Sequence, residues 1–127
     1  MSYLWVALGG AAGSLGRFWL SAVLPELVGR TFPWPTILIN IGGSFVISLF
    51  ATLTGPEGSW LVPSDARAFV IVGICGGFTT FSSFSLETLN LARNGEWLAA
   101  GGNILFSVTL CMIAVWLGYV AAVAINR

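Results

Sequence analysis

Apolar residues along the chain fall in four long runs separated by short polar turns. Crossing the roughly 30 Å hydrocarbon core of a bilayer takes about 20 residues of helix, and each run is long enough. The first extends from about Tyr3 to Leu24 and is expected to stop at Pro25, before a loop with Glu26, Gly29, Arg30 and Pro33. The second opens near Pro35, a good first-turn residue, and reaches about Leu53. Thr54-Gly55-Pro56-Glu57-Gly58 is the most polar turn. Ser64 or Asp65 is expected to cap the third helix, which ends before Arg93-Asn94-Gly95-Glu96. The fourth covers about Trp97 to Ile125. Trp5, Trp34, Trp60 and Trp97 fall near the predicted ends, where an amphipathic ring prefers the interface. The pattern predicts an all-α membrane protein with four transmembrane helices, spans about 3–24, 35–53, 66–91 and 97–125, in one domain over residues 1–127.

Composition agrees with a bilayer as solvent. Hydrophobic residues make up 57% of the chain and charged residues 8%, against about 25% charged in a soluble domain. Mean hydropathy is +0.91. Five arginines balance four glutamates and one aspartate, which leaves no basic patch for nucleic acid. Two cysteines and no histidine exclude a zinc-ligand cluster and the usual nucleophile–base pairs, so no enzyme is expected. Cys75 and Cys111 lie in apolar stretches and read as small buried hydrophobes. The N-terminus has no basic n-region, and no cleaved signal peptide is read there.

Four spans put both termini on one side of the membrane. Arg67 and Arg127 then lie on that side, and Arg30 and Arg93 on the other. Orientation follows the Arg/Lys bias, and here the count is tied. The balance points to a chain that inserts both ways and pairs antiparallel, unless Arg17 or the first residues break the tie. Four helices alone enclose little room for a polar pathway, so a homodimer is the smallest working unit expected.

Polar groups inside the bilayer are costly and mark function by default. Arg17 lies about two-thirds along the first span, beside Gly9, Gly10, Gly13 and Gly16, which admit a close neighbouring helix. It either lines a water-filled vestibule or snorkels to the interface. Asn40, with Ser44 and Ser48 at successive turns, forms a ladder of neutral donors or a helix-to-helix adhesive. The stretch Gly76-Gly77-Phe78-Thr79-Thr80-Phe81-Ser82-Ser83-Phe84-Ser85 is a poor transmembrane helix and predicts a break near mid-span. Broken helices offer free backbone groups to ions, and carbonyls with no nearby acid suit a small hard cation such as Na+. The alternative is a helix whose hydroxyls bond back to the preceding turn. Phe81 and Phe84 point roughly 60° apart on a helix. Their electropositive ring edges suit an anion, although core or lipid packing is the commoner use of such rings. Asn103, Ser107 and Cys111 add a thin polar stripe on the fourth helix.

Gly9-Gly10-Ala11-Ala12-Gly13-Ser14-Leu15-Gly16-Arg17 resembles the GGxxGxxxR pattern of the Fluc (CrcB) fluoride channels. Asn40-Ile41-Gly42-Gly43-Ser44 is similar to their second-helix motif, and Gly73 to Phe84 to their GxCGGxTTFSTF signature. Ser83 stands where Thr is common and keeps the hydroxyl. The resemblance covers the whole chain. It implies an antiparallel dual-topology homodimer in the bacterial inner membrane, with two pores that passively export cytoplasmic fluoride. It implies a structural sodium ion (Na+) at the dimer centre, held by the backbone carbonyls of Gly76 and Thr79 from both subunits. Phe81 and Phe84 would contact fluoride, Asn40 would donate to it, and Arg17 would lie near the vestibule. Thr80, Ser82 and Ser83 would form a polar track that Ser107 joins from the fourth helix.

The residues themselves are consistent with that chemistry. Fluoride is small and strongly hydrated, and neutral donors can replace its water while still releasing the ion. The acid nearest this path is Glu87, late in the third span, so proton coupling has no obvious carrier. A proton-coupled fluoride exporter and a non-transport membrane scaffold are the alternative functions.

Overall fold

A computed structural model describes residues 2–127, which form helices joined by short turns, with no strand among them. α1 (Ser2–Val28) is 27 residues long, about 40 Å at 1.5 Å per residue. It runs straight through Pro25, contrary to the sequence expectation. A proline forfeits one backbone bond and crowds the preceding turn, a cost contained here because the helix ends three residues later. The stop comes from Gly29, whose φ of 91° is the left-handed turn that closes many helices and whose N–H bonds the Pro25 carbonyl at 3.0 Å.

α2 (Trp34–Leu53) begins with proline in its first turn, as expected, and closes at Thr54. The Thr54 amide and hydroxyl both donate to the Phe50 carbonyl, at 3.0 and 2.7 Å. α3 (Ser64–Ala68) departs from expectation, because neither Ser64 nor Asp65 caps it. Pro63, in extended backbone, holds the cap position and moves both residues into the first turn. Asp65 there accepts from the Ser2 hydroxyl at 2.6 Å and lies at the positive end of the helix. A π-helical stretch, Phe69–Cys75, carries the chain into α4 (Gly76–Phe78). Thr79 and Thr80 are extended, and helix resumes as α5 (Phe81–Arg93) and then α6 (Trp97–Asn126).

Three stretches are long and apolar enough to cross a membrane: Trp34–Leu53, Ser64–Arg93 and Trp97–Asn126. α1 has the length, but its glycines, serines, Arg17 and Glu26 make it less apolar. The interior is thin. Ile37, Ile39, Leu53, Ala114 and Ala122 are buried, while Leu15, Phe18, Trp19, Leu105 and Trp116 face outward. Such an arrangement suits surroundings as apolar as the protein's own side chains. Helix association then depends on close packing rather than on hydrophobic burial.

Glycines provide that packing between α1 and the third span. Gly9 lies against the Phe69 carbonyl and Gly73, and Gly13 against the Ile74 carbonyl and the Phe78 amide. A β-carbon on Gly77 would come within 2.7 Å of the Gly10 carbonyl. On the opposite side, α2 packs along α6: Gly118 meets the backbone of Phe45 and Leu49, and the Ser48 hydroxyl donates to the Val115 carbonyl at 2.6 Å.

Gly13→Val drives a branched side chain into backbone that cannot yield, and overpacking of this kind costs about 1–3 kcal/mol. Gly10→Ala meets nothing within 4 Å. Thermal unfolding in detergent is expected to show a clear loss for the first and none for the second.

Candidate functional site at the helix interruption

Gly76 and Gly77 are weak helix formers, and the β-branched Thr79 and Thr80 lose rotamer freedom in a helix. Asn40 on α2 turns that weakness into a defined geometry. The Thr80 amide donates to Asn40 Oδ1 at 2.8 Å, and Asn40 Nδ2 donates to the Thr80 carbonyl at 3.1 Å. Asn40 gets this close because Gly43, one turn along α2, leaves room for the Thr79 side chain; a β-carbon there would overlap Thr79 Cγ2.

The interruption redistributes the carbonyls that precede it. In a continuous helix the amides of Thr80, Phe81, Ser82 and Ser83 would bond the carbonyls of Gly76, Gly77, Phe78 and Thr79. Here the Thr80 amide goes to Asn40, and the Ser83 amide donates to Thr80 Oγ1 at 3.1 Å, the N-cap of α5. The Gly77 carbonyl accepts from Arg17 Nε at 3.2 Å, and the Thr80 carbonyl accepts from Asn40. Side chains of α1 and α2 therefore occupy the carbonyls of Gly77 and Thr80, and those of Gly76, Phe78 and Thr79 lose their helical partners.

A cavity of about 440 Å³ opens beside this point. Asn40, Gly76, Thr79, Thr80, Phe81, Phe84 and Ser107 all line it, together with Ser44, Cys75, Cys111 and Met112. No Asp, Glu or Arg side chain is among its lining residues. Phe81 is 78% exposed, and its ring lies 5.3 Å from that of Phe84 with the planes at 52°. Cys75 is buried, as its apolar surroundings predicted.

Three of the sequence-singled residues lie elsewhere. Ser83 lines a separate cavity of about 410 Å³ with Arg30, Thr36 and Glu87. The Glu87 Oε1 is buried with no hydrogen-bond partner among the described residues. Ser82 is exposed and lines neither cavity, although its Oγ is 3.2 Å from Thr80 Oγ1. Arg17 is half-buried, lines neither cavity, and reaches the Gly77 carbonyl instead.

Sequence reasoning missed a buttress behind the cavity. The buried Ser107 hydroxyl donates to Asn103 Oδ1 at 3.2 Å, and Asn103 Nδ2 donates to Thr88 Oγ1 at 2.8 Å. Thr88 donates in turn to the Phe84 carbonyl at 2.8 Å. The i, i+4 spacing of Asn103 and Ser107 was the visible half of this chain; Thr88, one turn after Phe84, carried no signal of its own.

The oxygen donors at the interruption are of a kind that suits a hard cation. No group of three His, Cys, Asp or Glu side chains among the described residues could hold a metal, so neutral backbone oxygens are what the site offers, and oxygen suits hard ions.

Fold and site define a multi-pass helical membrane protein whose polar centre is an interrupted span. The family described as "CrcB-like protein, Camphor Resistance (CrcB)" matches residues 4–119, and this chain belongs to it. Proteins named "Fluoride-specific ion channel FluC" align along almost its full length. The one from Methylocella silvestris is 58% identical over 127 residues, covering 100% of this chain and 97% of its own. That from Opitutus terrae is 59% identical over 124 residues, covering 98% and 94%. That from Paramagnetospirillum magneticum is 60% identical over 127 residues, covering 100% and 99%.

Asn40→Ala removes both bonds to Thr80, each worth about 0.5–1.5 kcal/mol. Amide hydrogen exchange is expected to lose its protection at Thr80 and keep it at Thr79, whose amide bonds the Cys75 carbonyl at 3.0 Å.

Proposed function

We propose that this protein is a fluoride channel that lets cytoplasmic fluoride leave passively across the bacterial inner membrane. The observation that carries this reading is identity of 58–60% along almost the whole chain to proteins named as fluoride-specific ion channels. The cavity supports it chemically. A pore for a strongly hydrated anion must replace water with neutral donors that bind and still release. Asn40 has two amide N–H groups and commits one to the Thr80 carbonyl, leaving the other for an anion. Ser107 brings a hydroxyl to the same space and Phe81 and Phe84 bring ring edges, while Thr80, also on the wall, donates its hydroxyl to Ser83 Oγ at 3.2 Å. Ser83 extends the polar face of α5 toward the second cavity, and Ser82 stands beside Thr80. No carboxylate lines the main cavity to carry a proton, and the ion-channel names of its family relatives make the protein a transporter rather than an enzyme.

The working unit in this reading is an antiparallel homodimer with four spans per subunit, α1 included, and two pores. Phe81 and Met112, both on the cavity wall, are 78% and 63% exposed; a second subunit would complete the wall on that side. The even division of Arg30 and Arg93 against Arg67 and Arg127 supports insertion in both orientations. A structural sodium ion at the dimer centre would be held by the carbonyls of Gly76 and Thr79, two of those that the interruption releases and both on the cavity wall. A bound cation there supplies charge that ties the subunits together and favours a nearby anion. Arg17, beside the interruption, contributes a further positive charge.

Liposomes loaded with fluoride and holding the purified protein are expected to show fast electrogenic efflux, with none when chloride is loaded instead. Phe81→Ile is expected to slow fluoride at least about tenfold, the equivalent of some 1.4 kcal/mol of barrier. Absence of flux from a folded dimer would favour a scaffold. A reversal potential that moves with a pH gradient would favour proton coupling.

Two arginines added to the loop at residues 29–33 are expected to fix one orientation and abolish flux. Co-expression with a variant biased the opposite way is expected to restore it, which tests dual topology directly.

A further inference from the structure

Arg17 and Asn40 reach the interruption from different helices and act on different carbonyls. Asn40 releases the Gly76 carbonyl by taking the Thr80 amide and occupies the Thr80 carbonyl itself. Arg17 occupies the carbonyl of Gly77, next to Gly76 in the chain. Its approach is built in by the glycine face of α1: Gly9 and Gly13 lie on the third-span backbone, and Arg17 follows one turn later on the same face. A guanidinium, unlike the amide of Asn40 or a hydroxyl, carries a full positive charge. Neither cavity-lining set includes Arg17, and no Asp or Glu lines the main cavity to offset that charge.

We propose that Arg17 is the specificity-determining positioning residue of the cation site, withdrawing the Gly77 carbonyl from the ligand set and selecting monovalent over divalent cations by its charge. The proposal rests on the sodium site under the preceding heading. Repulsion between a fixed charge and a bound ion scales with the charge of the ion, so a divalent cation pays twice what a monovalent one pays at the same distance. Calcium sites ordinarily recover such costs with carboxylates and six to eight oxygens. The carbonyls of Gly76 and Thr79 are neutral, as is that of Phe78 between them, and the neighbouring oxygens of Gly77 and Thr80 are engaged. Replacing Arg17 by a neutral residue removes the repulsion and frees one oxygen. Both changes favour the divalent ion.

The test is thermal stabilisation of the full-length protein in detergent, titrated with sodium or calcium gluconate against N-methylglucamine gluconate. The wild type is expected to be stabilised by sodium and, only at much higher concentration, by calcium. Arg17→Gln is expected to lower the calcium concentration for half-stabilisation at least about tenfold, equivalent to some 1.4 kcal/mol. Arg17→Lys, which keeps the charge, is expected to retain the preference for sodium. A folded Arg17→Gln with unchanged sodium-to-calcium preference would overturn the proposal, as would an Arg17→Lys protein that accepts calcium. The lysine variant keeps the question decidable if the glutamine variant does not fold. A wild type with no cation-specific stabilisation would overturn the sodium site itself, and the assignment of Arg17 with it.

Discussion

The amide and the carbonyl of Thr80 are both held by one side chain, and the polar centre of this protein depends on that pair of bonds. A backbone kept out of a helix inside a membrane needs other partners for its polar groups, because hydrocarbon offers none. Asn40 provides them at 2.8 and 3.1 Å. It holds Thr80 extended, and so fixes where α5 begins, where Phe81 and Phe84 point and which carbonyls lose their helical bonds. An apolar residue of similar size would fill the space and leave an amide and a carbonyl orphaned at membrane depth.

Packing places the clamp and is itself subordinate to backbone proximity. Gly43 lets α2 press against Thr79, while Gly9 and Gly13 let α1 press against Gly73 and Ile74. Their effect is positional: side chains from two helices arrive at successive turns of a third. The π-helical stretch Phe69–Cys75 lies within this contact, and its wider backbone is the surface on which the α1 glycines rest.

Legibility in the sequence followed the same division. The polar residues in apolar runs stood out because bilayers penalise them, and Asn40, Thr79, Thr80 and Ser107 line one cavity together with Gly76, Phe81 and Phe84. Ser82 and Ser83 carried the same hydroxyl signal as Thr80 but point elsewhere, since neighbouring residues on a helix face different directions. Proline at position 25 read as a stop although α1 absorbs it, because the cost of one lost bond depends on how near the end it falls. The π-helical stretch was not legible at all: Phe-Val-Ile-Val-Gly-Ile-Cys has no feature that separates it from an ordinary buried helix. Thr88 was equally silent, being defined by a partner fifteen residues away.

The bond from Ser107 to Asn103 has a consequence for turnover. A hydroxyl whose only partner is a passing ion leaves an unsatisfied donor each time that ion departs, and the penalty slows departure. Ser107 has a standing neutral acceptor at 3.2 Å, at the far end of the outer limit for such a bond and weak enough to surrender. In the proposed channel its proton would swing to an arriving anion and swing back, so arrival and departure would be exchanges of one acceptor for another. A pore wall built this way would trade tightness for speed, with the bonded chain of Asn103, Thr88 and the Phe84 carbonyl resetting the donor after each ion.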